Sequence, residues 1–161
     1  MAKLLSILVA LALSLAPAAA RAGTIWEGSV GSGLRWQPSP VERIPTNVMV
    51  AVGYSTKVLK LELGAMGNLA DVKHSKFDLE LRPMLVVKPP LLPIYARAIT
   101  GVSGLLEKPV GFVYGAAVGV RMGALGVGAF LEAGAVAKRL RIEDKDKDVW
   151  YAEGRLGVYW D

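Results

Sequence analysis

The chain has 161 residues, 53% hydrophobic and 20% charged, with 18 glycines, one histidine, no cysteine and a formal charge of +5. That length allows one domain. The missing cysteines exclude a disulfide framework and thiolate metal sites, and a lone histidine argues against imidazole-rich metal or relay chemistry. A mean hydropathy of +0.39 beside an ordinary charge content means that the apolar residues either form one block or are sorted by face.

Residues 1–22 account for part of the hydropathy. Lys3 supplies a positive start, Leu4 to Leu15 an apolar run, and Ala20-Arg21-Ala22 a small-x-small site before Gly23. This predicts a cleaved export signal over 1–22 and a mature domain over 23–161. An uncleaved anchor is the alternative, but Pro17 interrupts the run, which falls short of the ~20 residues a spanning helix needs. Lys3 and Arg21 would leave with the signal, lowering the charge from +5 to +3. A nucleic-acid partner is therefore not expected for this exported chain.

From residue 23 onward the apolar residues alternate. Eight segments follow in chain order: 25–36, 47–54, 58–69, 77–87, 92–101, 111–122, 125–138 and 149–160. The third sets Leu59, Leu61, Leu63 and Ala65 against Lys60, Glu62 and Gly64. The fourth sets Phe77, Leu79, Leu81, Leu85 and Val87 against Asp78, Glu80 and Arg82. Period two marks strands with two different faces, and the Gly and β-branched content disfavours helix.

Every charge inside these segments falls on the less apolar face. Six are acidic (Glu27, Glu62, Asp78, Glu80, Glu132, Glu153) and seven basic (Arg35, Lys60, Arg82, Arg97, Arg121, Lys138, Arg155). The connections run 10, 3, 7, 4, 9, 2 and 10 residues, long alternating with short. An up-and-down meander with its long loops at one end produces this pattern. Gly123-Ala124 reads as a tight hairpin and Pro89-Pro90 as a turn.

Alternation alone fits both a soluble ligand-binding barrel and a membrane barrel. The aromatic residues separate them. Trp26, Trp36, Trp150 and Trp160 lie on the apolar face at segment ends, in two pairs ten residues apart. Ten residues at ~3.4 Å, tilted ~40°, rise about 25 Å, the height of the apolar band on an outer-membrane barrel. Trp26, Tyr54 and Trp160 are expected to form one interfacial girdle, and Trp36, Phe77, Phe112, Tyr114 and Trp150 the other.

Residues 23–161 resemble the small eight-stranded outer-membrane β-barrels of the OmpA/OmpX type in architecture and pattern. The run Gly111-Phe112-Val113-Tyr114-Gly115-Ala116-Ala117-Val118-Gly119-Val120 is similar in texture to their strands. The resemblance implies an all-β, antiparallel, up-and-down transmembrane barrel in the bacterial outer membrane, with periplasmic termini and four longer loops outside. It also implies partners: outer-membrane lipid, lipopolysaccharide and the barrel-insertion machinery. That machinery reads a terminal aromatic residue in such barrels; here Trp160 is followed by Asp161, while Leu156, Val158 and Trp160 keep the spacing.

Eight strands enclose space that side chains just fill, so the inward charges are expected to pair as a polar plug. A narrow pore is the alternative, drawing on the glycines Gly111, Gly115, Gly119, Gly126, Gly128 and Gly134 on the same face. A lipid A-modifying enzyme is a further one: His74 and Ser75, near Asp71 and Asp78, offer a base and a hydroxyl. Adjacent residues on extended chain point apart, however, and a catalytic pair must meet. Asp144, Asp146 and Asp148 lack the glycine and closing glutamate of a calcium loop, so neither metal nor cofactor is expected. Arg139 and Arg141, beside Lys138, are candidates for lipid phosphate contact. Ala96, Ala98, Ala116, Ala129, Ala133 and Ala135 form a smooth outer strip suited to weak self-association. Taken together, these residues predict a non-enzymatic envelope or surface-interaction barrel.

Overall fold

Strands with one apolar and one charged face must satisfy their N–H and C=O groups on their neighbours, and only closure removes the last unpaired edges. A computed structural model describes residues 23–37, 40–68, 78–106, 110–142 and 145–161, with backbone alone for 141, 142 and 145. The expected export segment, the His74–Ser75 pair with Asp71, and the girdle residue Phe77 lie outside the described residues.

Eight antiparallel strands follow in chain order: β1 (Thr24–Gln37), β2 (Glu42–Ser55), β3 (Leu59–Asn68), β4 (Leu79–Val87), β5 (Ile94–Ser103), β6 (Gly111–Ala124), β7 (Val127–Ile142) and β8 (Lys145–Trp160). Each pairs with the next, and β8 closes on β1. The apolar face is the outer one: Val30, Leu61, Leu63, Val118, Leu131 and Leu156 are all about half exposed or more.

The stagger of the barrel can be followed through its partners. Starting at Ile25, the cross-strand partners are Gly53, Glu62, Met84, Ile99, Gly115, Val136 and Tyr151, and Tyr151 pairs with Arg35 on β1. One circuit therefore returns ten residues further along β1. A closed sheet of eight strands with that stagger tilts its strands by roughly 40°. The inner width then matches long side chains rather than an open channel. Seen this way, Trp26 and Trp160 are direct partners near one rim, with Tyr54 two rows away.

Three expectations from the sequence need correction. Residues 42–46, read as part of the first long connection, extend β2: Glu42 pairs with Arg35, Arg43 with Leu34 and Ile44 with Gly33. The fourth long connection, 139–148, is mostly hairpin, with Ile142 opposite Lys145 and Arg141 opposite Asp146. Opposite charges facing across a ladder stabilise it, and Arg139 grips Asp148 through two bonds of 2.9 and 3.1 Å. Low hydropathy there thus marks strand leaving the apolar band, and the strict alternation of long and short connections fails at both ends.

The third correction concerns the tight turn. Ala124 pairs with Val127, so the turn is Leu125-Gly126 and not Gly123-Ala124. Both turn residues have positive φ, 56° and 79°, as the type I′ hairpin requires. Gly126 therefore belongs to this turn and not to the inner wall. A two-residue displacement leaves every side chain on its face, which is why alternation did not detect it. Leu125 is fully exposed at 102% and holds a left-handed conformation costing about 1 kcal/mol or more. Leu125→Asn is expected to raise the urea midpoint of the folded barrel by roughly 1 kcal/mol of stability. An unchanged or lowered midpoint would contradict this.

Candidate functional site

The inner wall carries two ionic groups separated by an apolar belt. The group nearer the chain termini centres on Arg97, whose residue is 1% exposed. Its Nη2 lies 2.7 Å from Glu27 and 3.2 Å from Glu62, and its Nε 3.2 Å from Glu132. Arg121 pairs with Glu27 as well, and lies 3.6 Å from Glu62. The Tyr95 hydroxyl donates to Glu132 at 2.8 Å. Rings fill the gaps between these groups: the Arg121 guanidinium sits 4.7 Å from the Tyr95 centroid and 5.0 Å from that of Tyr159.

The second group surrounds Arg82. Its Nη2 lies 2.8 Å from Glu80 and its Nη1 2.9 Å from Glu153. Lys138 pairs with Glu80 and lies 4.0 Å from Asp78, and Asp78 also accepts a 2.7 Å bond from the Gly104 N–H. Arg155 reaches Glu153 at 3.4 Å and the Ser29 hydroxyl at 3.4 Å. Of the remaining inward charges, Arg35 pairs with Glu42 at one mouth, 2.6 Å apart, and Lys60 with Asp161 at the other, 3.3 Å apart.

Between the two groups lie Met49, Ala51, Met66, Met84, Ile99, Val113, Ala117 and Val136, a buried apolar cluster inside the barrel. On β7, Gly134 and Val136 separate Glu132 from Lys138. The belt joins the ionic groups through methionine sulfur: Met84 lies 3.7 Å from Arg97, and Met66 3.2 Å from Arg155. Alternation places these residues on the inner face, but sequence reasoning read that face by its charges and missed the belt. The available signal was parity, since Met84 alternates in step with Arg82 and Glu80.

The inward glycines make room for rings. A methyl group at Gly119 would stand 2.6 Å from the Tyr95 ring, one at Gly128 2.6 Å from that of Tyr159, and one at Gly157 2.6 Å from that of Phe130. The space these glycines leave is therefore occupied.

Outside, Trp36 stacks on Trp150 at 6.0 Å, Tyr114 meets Trp150 edge-on at 5.8 Å, and Phe112 stacks on Tyr114 at 6.0 Å. Ala137 lies between Tyr114 and Trp150 in register and is buried. Just beyond these rings, the Arg139 guanidinium sits 5.8 Å from the Tyr114 centroid. Its pairing with Asp148 holds that carboxyl below the usual carboxylate range. Among the described residues no three His, Asp or Glu side chains group as a metal site.

An eight-stranded closed antiparallel sheet, apolar outside and charged within, is the fold of the small outer-membrane β-barrels. Solved structures agree. The chain is similar to Neisserial surface protein A, with a TM-score of 0.58 at 12% identity over 86% of this chain and 97% of that one. It is also similar to the N-terminal β-barrel domain of Pseudomonas aeruginosa OprF, with a TM-score of 0.52 at 11% identity over 86% and 98%. A de novo designed transmembrane β-barrel matches with a TM-score of 0.53 at 14% identity over 87% and 96%. No protein-family model matches the chain, and no curated protein matches it in sequence.

Proposed function

We propose that the mature chain is an integral protein of the bacterial outer membrane whose interior is a side-chain plug, and that its role is structural or surface-interacting rather than enzymatic. The carrying observation is that long charged side chains from opposite walls meet at hydrogen-bond distance, as Arg82 of β4 does with Glu153 of β8 at 2.9 Å. Eight strands leave space only for such side chains, and ion pairs held in an apolar shell are hard to separate. The rings lying over Gly119, Gly128 and Gly157 take the volume that a pore would need.

On this reading residues 1–22 direct export and are removed. The strand ends bearing Trp26 and Trp160 face the periplasm, and Leu156, Val158 and Trp160 engage the insertion machinery. The β7–β8 hairpin, with Arg139 above the aromatic residues, faces the lipopolysaccharide phosphates. Weak self-association uses the outer alanine strip, in which Ala98, Ala116 and Ala135 are successive partners across β5 to β7. One similar structure carries the name of a surface protein, which favours a surface role.

Planar-bilayer recording of the purified, heat-modifiable protein tests the plug. No steady conductance is expected from the wild type, whereas steady nanosiemens steps would replace the plug with the pore. A freely soluble periplasmic form on fractionation would remove the membrane assignment itself.

A further inference from the structure

The barrel mouth nearest the chain termini contains a basic cavity of about 150 Å³. Lys60, Lys88 and Arg121 line it together with Asp161, Tyr95 and Tyr159. Three cations thus stand against two side-chain carboxylates, Asp161, 3.3 Å from Lys60, and Glu27, which pairs with Arg121. The Lys60 ammonium has no exposed side-chain surface; it is held 5.4 Å over the Tyr159 ring.

Arg121 is 7% exposed, and one edge of its guanidinium is engaged with Glu27. Its Nε and Nη1 are buried without a hydrogen-bond partner. Such groups normally have one, and leaving a buried charged donor unmet is costly. Lys88, at the end of β4, is half-buried and makes no ion pair among the described residues.

The lining also includes apolar residues of the 88–94 segment. Leu92, Pro93 and Ile94 line the cavity, and Leu92 and Ile94 are 54% and 48% exposed. Ile94 belongs to the outer face of β5, while its neighbour Tyr95 is inward and buried. The cavity is therefore lined by residues of both faces, charged ones from the interior and apolar ones next to the outer surface.

We propose that this mouth is an anion site that takes a phosphate group, free or at the head of a phospholipid. Lys88 and the Lys60–Arg121 pair supply the charge, and the exposed Leu92 and Ile94 side chains are the apolar surface an acyl chain would lie against. Arginine and lysine together are the usual means of holding phosphate oxygens, and the excess of cations over carboxylate sets the sign of the ligand.

The test uses the purified folded barrel in a phosphate-free, uncharged detergent. Inorganic phosphate is titrated by calorimetry in one arm. In the other, dioleoyl phosphatidylglycerol is titrated against dioleoylglycerol, which lacks the phosphate. Saturable binding of either phosphate probe, weakened at least tenfold in Lys88→Gln, is expected. Binding of phosphatidylglycerol alone assigns the site to lipid, and binding of both probes assigns it to the phosphate group as such. Lys88 lies at the rim, and retained heat-modifiable migration shows that its variant is folded. Failure of both probes to bind, or equal binding by wild type and Lys88→Gln, overturns the proposal.

Discussion

Arg97→Met is expected to destabilise the barrel by about 3–5 kcal/mol, the loss typical of a buried ion pair deprived of one partner. The site is more demanding than a simple pair. Arg97 contacts Glu27, Glu62 and Glu132 within 3.2 Å, and without it Glu27 and Glu62 share the guanidinium of Arg121 while Glu132 keeps the Tyr95 hydroxyl. Methionine replaces most of the volume, so lost packing contributes little beside the uncompensated charge. Urea unfolding in lipid vesicles, followed by tryptophan fluorescence, measures the effect. Adding Glu62→Gln to Arg97→Met is expected to recover part of the loss, because Glu62 makes no aligned hydrogen bond and is then left with Arg121 at 3.6 Å. Arg97→Lys should fall between, since one ammonium cannot span three carboxylates as a planar fork does. A midpoint unchanged in Arg97→Met would show that the interior is hydrated enough for its charges to stand alone, and the plug would go with it.

Much of the fold was legible in the sequence because its main constraint is a period. Lipid outside and charge inside impose strict alternation, and alternation survives any error that is a multiple of two. The turn at Leu125-Gly126 was misplaced by two residues for this reason without one side chain changing face. A designed barrel shares this fold at 14% identity, so the fold needs no shared ancestry.

What alternation cannot carry is stagger. Glu27 and Arg97 stand 2.7 Å apart although 70 positions separate them, and only the ten-residue offset of the closed sheet brings them together. The pairing scheme of the interior was therefore out of reach, while the set of inward charges was not. The apolar belt was hidden for a different reason: Met49, Met66 and Met84 fall on the charged face by parity, but only the stagger gathers them into one layer between the two ionic groups. The β7–β8 extension was missed because Lys and Asp are poor strand formers alone, whereas Arg139 facing Asp148 across a ladder is a favourable pair.

Val30→Arg has the second large expected effect, and it tests the outer face as directly as Arg97 tests the inner one. Val30 is 51% exposed and lies between Trp26 and Trp36 on β1, with Val48 and Leu156 as its partners. If the two aromatic levels mark the membrane interfaces, Val30 sits near the bilayer midplane. An arginine there costs about 2–4 kcal/mol, or roughly 30- to 800-fold in the folding equilibrium. On a barrel surrounded by water the same change would be neutral within ~0.5 kcal/mol. Depth dependence makes the test specific. Val127→Arg, whose site is the register partner of Trp160, is expected to cost no more than ~1 kcal/mol, and Leu125→Arg, in the turn beyond it, nothing measurable. Urea midpoints in vesicles for the three variants should therefore fall in that order. A packing fault at this position would damage Val30→Ala and Val30→Arg alike, whereas a bilayer spares the alanine and grades the arginines by depth. Equal midpoints for Val30→Arg and Leu125→Arg would place the apolar face in water and remove the membrane from the account.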